Sequence, residues 1–246
     1  MSSLVETKNY VSFMALAALH RPMYEIYTGR MNEIVQKRSK PTRTNDPART
    51  MAEILEVATA EFADKGLSGA RIDEIAAATR TSKRMIYYYF DSKEGLYVAV
   101  LEEAYRRMRQ IESSLHLDDL SPQEALERLV GFTFDHHSSN EYYVRLVMNE
   151  NIQRGQYLGQ SKIIQQLNVP AIEAIRRLYD RGVATGVFRP GLDPVDIHAS
   201  ISALTFFNVS NKHTFGLIFK RGKASAAAIA LRRKNIVDMV SRFVCQ

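Results

Sequence analysis

From Pro47 onward, apolar residues return every three or four positions, the spacing of a helix face rather than a strand. Ile54, Leu55, Ala58 and Phe62 set out a first helix that Gly66 is suited to end, since a glycine C-cap carries no Cβ. Ser68 is the predicted cap of a short second helix holding Ile72, Ile75 and Ala76. Ser82 opens a third, running to about Phe90. Asp91 or Ser92 caps a longer fourth, with Glu94 in its first turn and an apolar stripe of Leu96, Val100, Leu101, Tyr105 and Met108. Ser121-Pro122 starts the next as N-cap and N1 proline. Further helical patterns lie around residues 141–153, 160–186, 194–209 and 225–244. Sustained alternation and Asn-Gly or Asp-Gly hairpin turns are missing, so the pattern predicts an all-α chain of about nine helices without internal repeats.

One stretch breaks the amphipathic rule. TSKRMIYYYFDSKEGL, residues 81–96, puts four aromatic residues side by side. At about 100° per residue they cannot share one face. Ile86 and Phe90, four apart, belong in a core with Phe62, Ile72 and Ile75. Lys83 and Tyr87 form a second line along the helix, and Arg84 and Tyr88 a third beside it. Each of these lines pairs a cation with a phenol and faces away from the core. Alone, such a face reads equally well as a solvated basic surface.

Its surroundings decide the matter. A short helix, a tight turn and a second short helix make a helix-turn-helix unit, whose second helix fits a DNA major groove. Lysine and arginine neutralise phosphates or donate to guanine edges. Tyrosine hydroxyls reach phosphate oxygens, and the rings pack on sugars or thymine methyls. Thr81 and Ser82 add small donors beside the free N–H groups of a helix start. Lys93, in the first turn of the fourth helix, can hold the backbone from the far side.

The ordered run ARTMAEILEVATAEFADKG…IDEIAAATRTSKRMIYYYFDSKEGLYVAVL, from Ala48 to Leu101, resembles the DNA-binding domain of the TetR family of bacterial transcriptional regulators. The resemblance implies an N-terminal three-helix DNA-binding domain with a helix-turn-helix, followed by a C-terminal helical domain for ligand binding and dimerisation. The corresponding division is a basic N-terminal extension at 1–46, a DNA-binding domain at 47–91 and an effector-binding and dimerisation domain at 92–246. Carried over residue by residue, the operator-contacting positions are Thr81, Ser82, Lys83, Arg84, Tyr87, Tyr88 and Lys93. Tyr89 occupies a position that is often histidine, where it either touches phosphate or flanks the core. Two departures stand out. Arg80 replaces a glycine common in the turn, at a cost of about 1 kcal/mol if that residue is left-handed. Arg84 replaces another glycine, which leaves open whether its guanidinium reads a guanine or holds a phosphate.

Beyond residue 110 the pattern is less specific. By the same resemblance a pocket lies inside this half, and the last two long helices pair with a second copy. Val195–Phe207 and Ala226–Phe243 are the candidates for that homodimer bundle, with Ile229, Ile236, Val237 and Val240 at helical spacing. A dimer would place two recognition helices about 34–36 Å apart, matching successive major grooves of a near-palindromic operator. The ligand-binding candidates are His137, Tyr143, Met148, Asn149, Phe207 and Asn208, with His136 and Asn151 beside them. Adjacent histidines diverge by about 100° on a helix, so His136 and His137 do not form a chelating pair, and no metal or cofactor is expected.

Composition adds limits. The chain has 246 residues, 46% hydrophobic and 24% charged, with a formal charge of +6 that suits a polyanionic partner. Its single cysteine, Cys245, supports neither a disulfide framework nor a cysteine zinc site, as expected of a cytoplasmic protein. The longest apolar run, Tyr10–Leu19, falls short of the ~18 residues of a membrane span. KRSKPTRTNDPAR at 37–49 reads as a flexible basic arm, and Met31 as an alternative start. No nucleophile elbow, phosphate loop or metal-binding helix motif occurs, which argues against an enzyme. The reading is a ligand-responsive transcriptional regulator of the repressor type, released from its operator by a small molecule. The alternative is an architectural or cell-cycle DNA-binding protein of the same fold without an effector.

Overall fold

The structure is a computed structural model that describes residues 46–246, apart from 221 and 223. The basic arm's first nine residues and the alternative start at Met31 therefore lie outside the described residues. Among the described residues are ten α-helices, two short 3₁₀ turns and no strand; one antiparallel bridge joins Phe188 to Cys245. We number the helices α1 (Pro47–Gly69), α2 (Ile72–Ala78), α3 (Lys83–Phe90), α4 (Lys93–Ser113), α5 (Pro122–Ser139), α6 (Glu141–Ile152), α7 (Lys162–Ala184), α8 (Pro194–Ser210), α9 (Lys212–Ile218) and α10 (Ala226–Val244). No helix among the described residues is long and apolar enough to cross a membrane.

The caps explain most boundaries. Asp46 accepts from the N–H groups of Ala48 and Arg49, with Pro47 at the start of α1. Ser82 caps α3 through Met85 N–H, and Ser92 caps α4 through Gly95 N–H, which settles the choice between Asp91 and Ser92. Ser121 and Glu124 form a reciprocal capping box on α5. Ser68 departs from expectation: α2 is preceded by Arg71, which gives no side-chain cap. The reason lies at Gly66, whose φ of 67° kinks α1 but does not end it; one more turn runs to Gly69 and absorbs Ser68. The tenth helix is α9, which the nine-helix expectation omitted.

Two cores organise the described residues. The first joins Ile54, Phe62, Ile72, Ile75, Ile86 and Phe90 of α1–α3 to Leu96, Tyr97, Val100 and Leu101 of α4, with Leu146 and Ile164 entering from α6 and α7. The second packs α5, α7, α8 and α10 around Leu129, Phe134, Leu178, Phe188, Ile201 and Val240. Ile236 and Val240, half of the stripe read as a dimer seam, are buried in this second core, whereas Ile229 is exposed. The α4 helix spans both territories, starting against the recognition unit and ending beside the effector half.

Candidate DNA interface and effector cavity

The recognition unit is α2, a four-residue turn and α3. The Ala76 carbonyl accepts from Thr81 N–H at 3.1 Å, and Thr79 folds its hydroxyl back to the Ile75 carbonyl at 2.8 Å. Arg80 sits in this turn with φ 53°, so the left-handed conformation anticipated there is present. At the other end, Asp91 also has a positive φ, 62°. Between these two reversals α3 buries Ile86 and Phe90, as the spacing predicted.

Of the remaining candidates, Ser82, Lys83, Arg84, Tyr87 and Tyr88 are exposed, and Thr81 and Lys93 are half-buried. Tyr88 is 75% exposed and Tyr87 43%, and Tyr89 packs edge-on against both Tyr88 and Phe90. Lys83 forms an ion pair with Asp73 of α2, and that hydrogen bond is the main reason the Asp73 carboxyl lies below its usual range. Lys93 donates to the Ser68 carbonyl at 3.4 Å, tying the start of α4 to the end of α1. Gly95 explains how closely α4 meets the recognition helix. A Cβ added there would stand 2.1 Å from the Phe90 carbonyl oxygen.

The effector half contains a cavity of about 420 Å³ among α4, α5, α6, α7 and α8. Its walls are helix faces, seen in pairs three or four apart: Tyr105 with Met108 and Arg109, Thr133 with His137, Tyr143 with Val147, Gln165 with Asn168, and His198 with Ser202 and Phe206. Two of the six sequence candidates, His137 and Tyr143, line it. Met148, Asn149, Phe207 and Asn208 do not. Asn149 donates to the Phe62 carbonyl of α1, Asn208 holds Arg232 of α10 at 2.9 Å, and Phe207 packs edge-on against Phe215 near the surface.

The cavity chemistry is mostly neutral. His137 Nδ1 lies 3.0 Å from the Thr205 hydroxyl, and its ring stacks with Tyr143 at a centroid distance of 6.0 Å. Burial, then the His136, His198 and Arg109 charges, pushes its pKa down to about 4. His136, buried beside it, is held at about 4 by burial and by Arg109, and His198 is lowered for the same reasons. Burial raises the Tyr105 and Tyr143 phenols, so both stay protonated. Arg109 is the cationic exception. It pairs with Glu112, both side chains being 11% exposed, yet its buried Nε has no hydrogen-bond partner among the described residues. The sequence did carry a signal for it: Arg109 follows Tyr105 by four on the apolar stripe of α4, where a charge is out of place.

The α6 helix connects the two regions. Tyr143 and Val147 face the cavity, while Arg145 and Asn149, each two positions further on, grip α1. Arg145 donates through Nε to the Ala63 carbonyl at 2.7 Å and through Nη2 to that of Asp64 at 3.0 Å. Those carbonyls sit just before the kink at Gly66. Glu150, also on α6 and buried, accepts from the N–H groups of Tyr157 and Leu158 and so fixes the loop that closes the cavity.

Together these features define a helix-turn-helix DNA-binding protein with a helical effector domain. Two family profiles match the chain: "Bacterial regulatory proteins, tetR family" over residues 54–100, and "Tetracyclin repressor-like, C-terminal domain" over residues 122–240. The HTH-type transcriptional repressor NicS of Pseudomonas putida is 34% identical over 180 residues, covering 73% of this chain and 85% of that protein. Among solved structures, the putative transcriptional regulator SCO4942 from Streptomyces coelicolor superposes with a TM-score of 0.58 at 27% identity, over 79% of this chain and 98% of that one. AibR, solved in complex with isovaleryl coenzyme A and operator DNA, shares the fold with a TM-score of 0.59 at 19% identity, over 77% and 97%. The chain belongs to the TetR family and is a DNA-binding transcriptional regulator of the ligand-responsive, repressor type.

Proposed function

We propose that the chain works as a cytoplasmic homodimer, through binding rather than catalysis. Residues 47–91 form its DNA-binding domain and residues 92–246 its effector-binding and dimerisation domain. Thr81, Ser82, Lys83, Arg84, Tyr87, Tyr88 and Lys93 contact the operator. Dimerisation uses α8 and α10, whose Val195, Phe207, Ile229, Leu231 and Met239 are apolar yet exposed in the protomer. The two α3 helices would then read successive major grooves of a near-palindromic site.

The observation that carries the switch is the course of α4. Its first turn abuts the recognition helix at Gly95, and its later turns supply Tyr105, Met108 and Arg109 to the cavity. A small molecule that repositions these later turns moves the recognition unit too, and so releases the operator. Converting nearly full occupancy to nearly empty requires a preference of about 5.5 kcal/mol for the released state.

The test is a salt-dependent titration on DNA selected from random sequence by the protein itself. Lys83→Ala or Lys93→Ala should each lower the salt slope by about 1, the change expected when one phosphate is no longer neutralised. Arg84→Ala should cost about 1–3 kcal/mol at one base position if it reads guanine, and a uniform loss otherwise. Unchanged slopes for both lysines, with full affinity for Arg84→Ala, would sink the assignment of this face.

A further inference from the structure

Resting on that effector reading, we propose that the cavity ligand is a small organic anion, its acid group held by Arg109 and its apolar body enclosed by α5, α6, α7 and α8. Among the described residues, Arg109 is the one permanently charged side chain in the cavity wall, and no aspartate or glutamate lines it. The wall otherwise offers rings, aliphatic carbons and neutral donors such as Gln165, Asn168 and Ser202. A cationic ligand would meet the guanidinium, and the carboxylate beside it, Glu112, is already paired with Arg109. A wholly apolar ligand would leave the buried Nε unpaired, as it is now, and a neutral carbonyl would pair it without meeting its charge.

Position supports the same assignment. Arg109 also lines a second groove of about 400 Å³, bounded by Arg106, Gln110, Ile163, Gln166, Leu167 and Pro170 along the α4–α7 seam. Arg109 thus lines both the outer groove and the inner cavity. Pro170, inside α7, has no N–H for the carbonyl four residues back, so the seam is irregular beside Gln166. An anion entering by the groove meets Arg106 and then Arg109, and can replace Glu112 as the partner of Arg109. The charge at the guanidinium stays balanced only if the displaced Glu112 carboxylate turns out to water, and that movement would shift the turn of α4 that carries both residues.

The titratable groups in the cavity wall are Tyr105 and Arg109 from α4, His137 from α5, Tyr143 from α6 and His198 from α8, with Glu112 paired to Arg109 and His136 packed against His137 and Tyr143; α7 contributes only the amides of Gln165 and Asn168. Burial and Arg109 keep the three imidazoles neutral, and a bound anion would offset both influences.

The experiment uses the full chain and matched pairs of acid and primary amide: benzoate with benzamide, cyclohexanecarboxylate with its amide, and hexanoate with hexanamide. Affinities are read by calorimetry and thermal shift for the wild type and for the double variant R109Q/E112Q, which removes both charges and leaves neither stranded. At least one acid should bind about tenfold or more tightly than its amide, and the double variant should abolish that preference while retaining the amide's affinity. Amides binding as well as acids, no acid binding at all, or an acid preference surviving in R109Q/E112Q would each overturn the proposal. Operator titrations with the same molecules separate the two readings. An acid that binds through Arg109 without altering operator affinity supports the anion site and refutes the switch. DNA binding unaffected by an empty panel refutes the anion site alone.

Discussion

Arg145 of α6 holds the kink of a helix to which it does not belong, its Nε donating to the Ala63 carbonyl of α1 at 2.7 Å. A charged donor makes a stronger hydrogen bond to a backbone carbonyl than a neutral one does. Arg145→Met keeps the aliphatic stem but removes both donors, and should cost about 1–2 kcal/mol in urea denaturation. It should also blunt the effect of a cavity ligand on operator affinity without weakening the ligand's binding. A variant with wild-type stability and an intact response would remove α6 from the signalling route.

Arg80 occupies a left-handed position that glycine adopts at no steric cost. Arg80→Gly should therefore stabilise the folded state by up to about 1 kcal/mol, less the extra entropy glycine gives the unfolded chain. Thermal midpoints at equal protein concentration would show it. If Arg80 also lies against a phosphate, the same variant loses about one unit of salt slope.

Gly95→Ala tests the junction between α3 and α4. The added methyl carbon meets the Phe90 carbonyl, a backbone atom that cannot move without carrying the end of α3 with it. The expected loss of stability is about 1–3 kcal/mol. The loss of operator affinity should exceed what the unfolded fraction explains, because the recognition helix itself is displaced. Equal affinity per folded molecule would show that the junction tolerates the change.

The buried histidines set an acid limit. His136 and His137 have folded-state pKa values of about 4 against an ordinary value near 6.5, so the unfolded chain binds more protons between those values. Stability is therefore full above about pH 6.5 and falls as pH drops towards 4, by up to about 3 kcal/mol per residue. His136 Nδ1 has no hydrogen-bond partner among the described residues, so His136→Leu should flatten roughly half of this slope and leave the pH 7.5 midpoint unchanged or raised. Denaturant midpoints from about pH 4.5 to 7.5 provide the check, and an unaltered slope would contradict it.

Asp73→Asn should raise operator affinity about two- to tenfold at low salt, by releasing Lys83 and removing a like charge from the phosphates' vicinity. The gain should shrink towards nothing at about 1 M salt, where screening is nearly complete. Affinity that is unchanged at low salt would place Lys83 away from the backbone.

The sequence was most readable where local chemistry decides the outcome. Ser82, Ser92 and Ser121 cap the helices their positions implied, and Ile86 and Phe90 turn inward as their spacing of four required. Gly66 was recognised as an ending, but its positive φ only kinks α1, and the additional turn displaced Ser68 from its expected role. The cavity was harder, since its walls come from five helices whose registers against one another are set by packing. His137 and Tyr143 emerged as candidates because polar rings on apolar faces are visible locally. Arg109 is not among the sequence candidates, although its place one turn after Tyr105 on the buried stripe marks it. Asn149 and Asn208 looked like ligand groups and instead bind Phe62 and Arg232, partners 87 and 24 residues away.

The pairing of Lys83 with Asp73 has a consequence for how the protein finds its site. In free solution the lysine already holds an anion, so a passing phosphate must compete with a carboxylate of the protein itself. Random DNA, which offers only charge, gains little from that exchange. An operator that also engages Arg84 and the tyrosines can hold α3 long enough for the exchange to be completed. With Lys83 on a phosphate as proposed, Asp73 would shorten wasted stops along the chromosome, trading tightness everywhere for faster arrival at one place.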